Sequence, residues 1–105
     1  MTSILIYMTA PAAEAEKIAS RLLDKGLIAC ANIMAPHTAV YKWQGKVEKG
    51  AETAVIMKTR EELFEAAREE ICSLHSYECP CIVALPITAG HEPFLQWISG
   101  QTETG

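Results

Sequence analysis

Residues 27–58 read LIACANIMAPHTAVYKWQGKVEKGAETAVIMK, two β-prone arms hinged at Gln44-Gly45. Glycine at the second hinge position accepts the positive φ that a two-residue hairpin turn requires. The first arm, residues 27–43, is rich in β-branched and aromatic side chains and is interrupted near Pro36; the return arm, residues 46–58, ends in Ala54-Val55-Ile56-Met57. Both arms far exceed the usual strand of ~5–6 residues. At ~3.3 Å per residue such a hairpin extends about 45 Å, whereas a domain of this length measures only about 26–30 Å across. A two-stranded ribbon is marginal when isolated in water, and this one carries Tyr41 and Trp43 at its tip. The overhang is therefore expected to pack on another copy of the chain.

Working outward, residues 3–9 (Ser-Ile-Leu-Ile-Tyr-Met-Thr) form a short apolar run that reads as a buried strand. Pro11 suits the first turn of a helix. Ala15, Ile18, Ala19, Leu22 and Leu23 follow at helical spacing, and Gly26 supplies the stop. Beyond the hairpin, Thr59 and Glu62 have the spacing of a capping box. Leu63, Ala67, Ile71 and Leu74 give the apolar stripe of a second helix ending near His75. Residues 82–88 read as a last strand, and Phe94, Leu95, Trp97 and Ile98 as a short closing helix before a frayed polar tail from Gly100.

The order is βαββαβ with a C-terminal appendage, the ferredoxin-like split βαβ plan of an α+β domain. Proline is confined to sheet edges, strand starts or bulges. Pro36 and Pro86 therefore place the second and fourth strands at the edges, giving the antiparallel sheet order 4-1-3-2.

The chain has 105 residues, room for one domain. Nine basic residues against thirteen acidic ones give a net charge of −4, which argues against nucleic-acid binding. No apolar run approaches the ~20 residues of a membrane span, and the N-terminus lacks signal-peptide features. Cys30, Cys72, Cys79 and Cys81 are thus expected to be reduced thiols in the cytoplasm. There is no phosphate loop, nucleophile elbow or HExxH, so an enzyme is not expected.

Several segments recur in a familiar order: Thr9-Ala10-Pro11; Ala29-Cys30-Ala31-Asn32-Ile33; Tyr41-Lys42-Trp43-Gln44-Gly45-Lys46; Lys58-Thr59; His75-Ser76-Tyr77-Glu78-Cys79-Pro80; and Leu85-Pro86-Ile87 through Gly90 to Leu95-Gln96-Trp97. Together they resemble the CutA divalent-cation tolerance family over about residues 3 to 99. The resemblance implies a cytoplasmic homotrimer, similar in architecture to PII signalling proteins, with copper binding and no enzymatic activity. It also marks Cys30 as a family-type ligand, whereas the cysteine that some members carry before Thr-Ala-Pro is Met8 here.

Among the residues themselves, Cys79-Pro80-Cys81 brings two sulfurs close together with His75 just upstream. Thiolates and imidazole select soft ions such as copper or zinc over magnesium or calcium. The candidate metal set is Cys30, His75, Cys79 and Cys81; the bland alternative is that Cys30 and Cys81 are small core residues. Tyr41, Trp43, Lys46, Lys58, Tyr77 and Glu78 are candidates for an inter-subunit cleft. Lys46 and Lys58 with the aromatics Tyr41, Trp43 and Tyr77 also motivate an alternative reading, a PII-like signalling or scaffold trimer whose inter-subunit clefts accept a small anionic metabolite or a partner. His37 beside Pro36 is expected to be a surface ligand at most, and Cys72 lies off its helix's stripe.

Overall fold

The computed structural model describes residues 2–102. Strand β1 (Ser3–Ala10) leads into helix α1 (Ala12–Asp24), which Gly26 ends with φ of 70°. The N–H of Gly26 reaches the Leu23 carbonyl and that of Leu27 the Leu22 carbonyl, satisfying helix-end acceptors that would otherwise be orphaned. Strands β2 (Cys30–Ile33) and β3 (His37–Trp43) flank the break at Pro36, and both pair with the long β4 (Lys46–Arg60). A single 3₁₀ turn (Glu61–Leu63), helix α2 (Phe64–Leu74), β5 (Ile82–Pro86) and helix α3 (Glu92–Gln101) complete the order.

The antiparallel sheet runs β2-β4-β1-β5, with β3 continuing along β4 beyond β2. With β2 and β3 counted as one interrupted strand, this is the expected 4-1-3-2 order, and both prolines lie on edges. Alternation along β1 turns Ile4, Ile6 and Met8 inward, where they meet Ile18 and Leu22 of α1, Val55 and Met57 of β4, and Ala67 and Ile71 of α2. Each such side chain, fully buried, contributes about 1.5–3 kcal/mol. Met8 is therefore core, fully enclosed.

Residues directly opposite in an antiparallel ladder share a face. Leu85, Leu5, Lys58 and Cys30 thus form one row across the other side of the sheet, and Val83, Tyr7, Ile56 and Asn32 the next. Arg60, at the end of that face, bonds Thr102 through Nε to Oγ1 (2.9 Å) and Nη2 to the carbonyl (2.6 Å), anchoring the end of α3. Much of the remaining face stays open: Val83 and Leu85 are 49% and 50% exposed.

The ribbon turns at Gln44 (φ 51°) and Gly45 (φ 80°), both left-handed, as a primed turn requires. Its overhang stretches the molecule to 44 × 26 × 23 Å, close to the length anticipated from residue count.

Two local expectations fail. Thr59 caps no helix, because β4 continues through it in register with Ile4 of β1. Its hydroxyl instead donates to the Leu27 carbonyl at 2.7 Å, while Glu62 pairs with Arg60 at 3.3 Å. Long-range strand pairing outcompetes the local cap. Nor does the chain fray at Gly100: α3 runs to Gln101, and Thr102 is buried. The rest of the expected tail lies outside the described residues.

Candidate functional site

Counting by twos back from the turn, Trp43, Tyr41, Ala39 and His37 share one face of β3. Their cross-strand partners are Lys46, Glu48, Gly50 and Glu52 of β4. Beside this ribbon, on the open face of the sheet, stand Tyr7 and Thr9 of β1. The segment after α2 closes the third side with Tyr77, Glu78, Cys79 and Cys81. Together they enclose a cleft of about 580 Å³.

His75 holds that third side in place. The buried ring donates from Nε2 to the Thr9 carbonyl (2.8 Å), and Nδ1 accepts the Tyr77 N–H (3.1 Å). A carbonyl can only accept and an N–H can only donate, so the pair of bonds fixes one neutral tautomer. The Tyr77 ring leans on the imidazole, centroids 4.7 Å apart. The Thr9 N–H adds a long bond to the Cys81 carbonyl at 3.4 Å. Both ring nitrogens of His75 are thus committed to backbone, so the imidazole is a tie between α2 and β1 and has no lone pair for a metal.

Inside the cleft, the Tyr77 hydroxyl donates to Glu52 Oε2 at 3.3 Å, and His37 Nε2 lies 3.7 Å from Oε1 of the same carboxylate. Burial pushes the Tyr77 phenol above its usual range, and the charge of Glu52 pushes it further the same way.

The four proposed metal residues do not converge. Cys30 is on edge strand β2 opposite Lys58, with β4 and β1 between it and β5. Among the described residues, no group of three or more His, Cys, Asp or Glu side chains is placed to hold a metal. Cys79 and Cys81, both exposed and free, lie on the cleft wall with Glu78. Cys81 is consequently no core residue, and Cys30 is only half-buried. Two soft donors suit a two-coordinate soft ion better than a closed four-ligand centre.

Of the proposed ligand residues, Tyr41, Trp43, Tyr77 and Glu78 line the cleft. The lysines do not. Lys58 points its ammonium to Asn32 Oδ1 on the β2 side, and Lys46 pairs with Trp43 at the ribbon tip outside the lining. The reading of a small anionic metabolite is accordingly not favoured. The sequence reading missed Glu52 and Tyr7. Alternation counted from Gln44-Gly45 would have placed Glu52 opposite His37, on the face of Tyr41 and Trp43.

The model of the "CutA1 divalent ion tolerance protein" family matches residues 4–101. The divalent-cation tolerance protein CutA of Archaeoglobus fulgidus is 50% identical over 99 residues, covering 93% of this chain and 96% of its own. Chloroplastic CutA of Arabidopsis thaliana is 40% identical over 101 residues, and the match spans 56% of that longer protein. The crystal structure of CutA1 from Oryza sativa superimposes with a TM-score of 0.95 at 36% identity, covering 100% of this chain and 97% of that one.

Proposed function

The chain belongs to the CutA1 divalent ion tolerance family, and from that membership we propose that it binds copper, or another soft ion such as zinc, as a cytoplasmic homotrimer serving metal tolerance. The observation that carries the metal is the pair of thiols Cys79 and Cys81, two positions apart in sequence and both exposed on the lining of one cleft. Deprotonated, these sulfurs would hold the ion, and Glu78 would add negative charge beside them. Cys30 and His75 take no part. Bound metal would supply its charge and soft-ligand affinity to the cleft; the chain's own contribution is the rigid wall set by His75 and Pro80.

The trimer is supported by the open sheet face, with Val83 and Leu85 half exposed, and by a ribbon that outgrows the 26 × 23 Å cross-section of its own globule. Free thiols suit a reducing compartment.

Calorimetric titration of the reduced protein with Cu(I), Cu(II) and Zn(II) tests the reading. One Cu(I) per chain is expected, weakened at least about tenfold, or 1.4 kcal/mol, in the Cys79→Ser/Cys81→Ser variant. Cys30→Ser is expected to bind like the parent chain. Binding that is weak and indifferent to the double substitution would remove the site. Sedimentation in the same buffer reads the assembly, and a single copy at low micromolar concentration would overturn the trimer.

A further inference from the structure

Among the described residues, His75 is the one buried ionisable side chain, 9% exposed. Its two hydrogen bonds differ in what a proton does to them. Nε2 donates to the Thr9 carbonyl, and a positively charged ring donates there more strongly. Nδ1 accepts the Tyr77 N–H through its lone pair, and a proton taken up from solvent by that lone pair sets one donor against another. Protonation therefore keeps the bond to β1 and destroys the bond to Tyr77. Both bonds run to backbone groups of the same chain, and neither depends on the ribbon or on what covers the open sheet face.

The bond that is lost belongs to a stretch without regular structure: residues 76–81 form neither helix nor strand. At one end the Ser76 N–H donates to Glu14 Oε1 at 3.0 Å, and at the other the Cys81 carbonyl accepts the long bond from Thr9. Between these ends Tyr77 is held by His75 and, through its hydroxyl, by Glu52 of β4. From α1, Glu14 lies within electrostatic reach of the ring and favours a proton on it, with Lys17 beside that carboxylate acting the other way. From β1 the ring meets the uncharged Thr9, and the phenol of Tyr77 is turned to Glu52. The charges of α2 are engaged elsewhere, Arg68 with Glu65 and Glu69, and Glu70 with Arg21 and Lys25. Because Glu14 is held below its ordinary value of 4.5, it still holds Ser76 at about pH 5, where histidine ordinarily has gained its charge.

We propose that His75 is a pH-sensitive latch. Neutral, its Nδ1 holds the Tyr77 N–H and fixes residues 76–81 between α2 and β5; charged, the ring stays on Thr9 and lets that segment go. The latch stands apart from the metal reading, since neither of its bonds involves a sulfur.

The reduced, metal-free protein, isotopically labelled in its assembled form, is followed by NMR from about pH 7.5 to about pH 5. Signals of His75 are separated from those of His37 and His91 by the His37→Gln and His91→Gln variants. At the upper pH the ring is expected to carry a proton on Nε2 alone, and at the lower pH on both nitrogens. Exchange of the Tyr77 amide hydrogen, corrected for the intrinsic effect of pH, is expected to rise at least about tenfold over that range. The amides of Ile6 and Met57, in the central strands, are expected to keep their protection. His75→Asn puts an acceptor near the place of Nδ1 and does not titrate, so it is expected to hold the Tyr77 amide equally at both pH values. The parent chain's own spectra decide the matter if that variant fails to fold. A proton on Nδ1 at the upper pH, a ring that stays neutral at the lower, or a Tyr77 amide that stays protected while the ring is charged would each overturn the proposal. So would release that comes only together with the core amides, or the same pH response in His75→Asn.

Discussion

Replacing His75 by alanine separates a structural imidazole from a metal ligand. The substitution removes the bond to the Thr9 carbonyl (2.8 Å) and the bond from the Tyr77 N–H (3.1 Å), and takes away the ring on which Tyr77 leans. A buried polar group left without its partner costs about 1–3 kcal/mol. The Thr9 end is buried and takes the upper part of that range, while the Tyr77 end is nearer water and takes the lower. The expected loss is therefore about 3–5 kcal/mol, which for a domain of this size lowers Tm by roughly 15–25 °C. Urea unfolding at fixed protein concentration measures it, since an assembly's apparent stability depends on concentration. Under native conditions the folded variant should take up Cu(I) as the parent chain does. An unchanged unfolding midpoint together with lost metal affinity would refute the reasoning and make the imidazole a ligand.

Further outcomes follow from single side chains. Hydrogen bonding from Ser76 to Glu14 holds that carboxyl below its ordinary value of 4.5, so its contribution is present above that pH and fades as pH falls through the lowered value. The stability difference between the parent chain and Glu14→Ala should shrink on acidification, read by denaturant titration at several pH values. Tyr77, raised above its ordinary value of 10.0 by burial and then by Glu52, favours folding while neutral. That contribution is complete below pH 10.0 and is lost as pH rises through the raised value; in Tyr77→Phe the alkaline loss of stability should be smaller. Among the described residues, Thr53 Oγ1 is buried without a hydrogen-bond partner, so Thr53→Val should be neutral or stabilising by up to about 1–2 kcal/mol in thermal unfolding. Gln44 sits at φ 51° in the ribbon turn, and Gln44→Asn, better suited to that region, should raise the unfolding midpoint by about 0.5–1 kcal/mol; a lower midpoint would contradict the turn assignment.

Local rules carried the sheet plan. Period-two and helical spacing, Gly26, Gln44-Gly45 and the two prolines determine the elements, their order and even the 44 Å span, because each depends on residues close in sequence. Where a local signal competed with a distant partner, the distant partner prevailed. Thr59 matched a cap, but pairing with Ile4 and a bond to Leu27 held it in the strand. His75 near thiols looked like a ligand, yet its ring is consumed by Thr9, 66 residues away, and by Tyr77.

Composition and spacing named most of the cleft's aromatic wall and its thiols from the sequence alone. Tertiary structure decided its charge, bringing Glu52 in through the ribbon register, leaving Lys46 and Lys58 outside, and stranding Cys30 across the sheet from Cys81. A chain encodes which groups are available through their chemistry, but which of them meet is set by register and by the satisfaction of buried polar atoms, and both are properties of the folded whole.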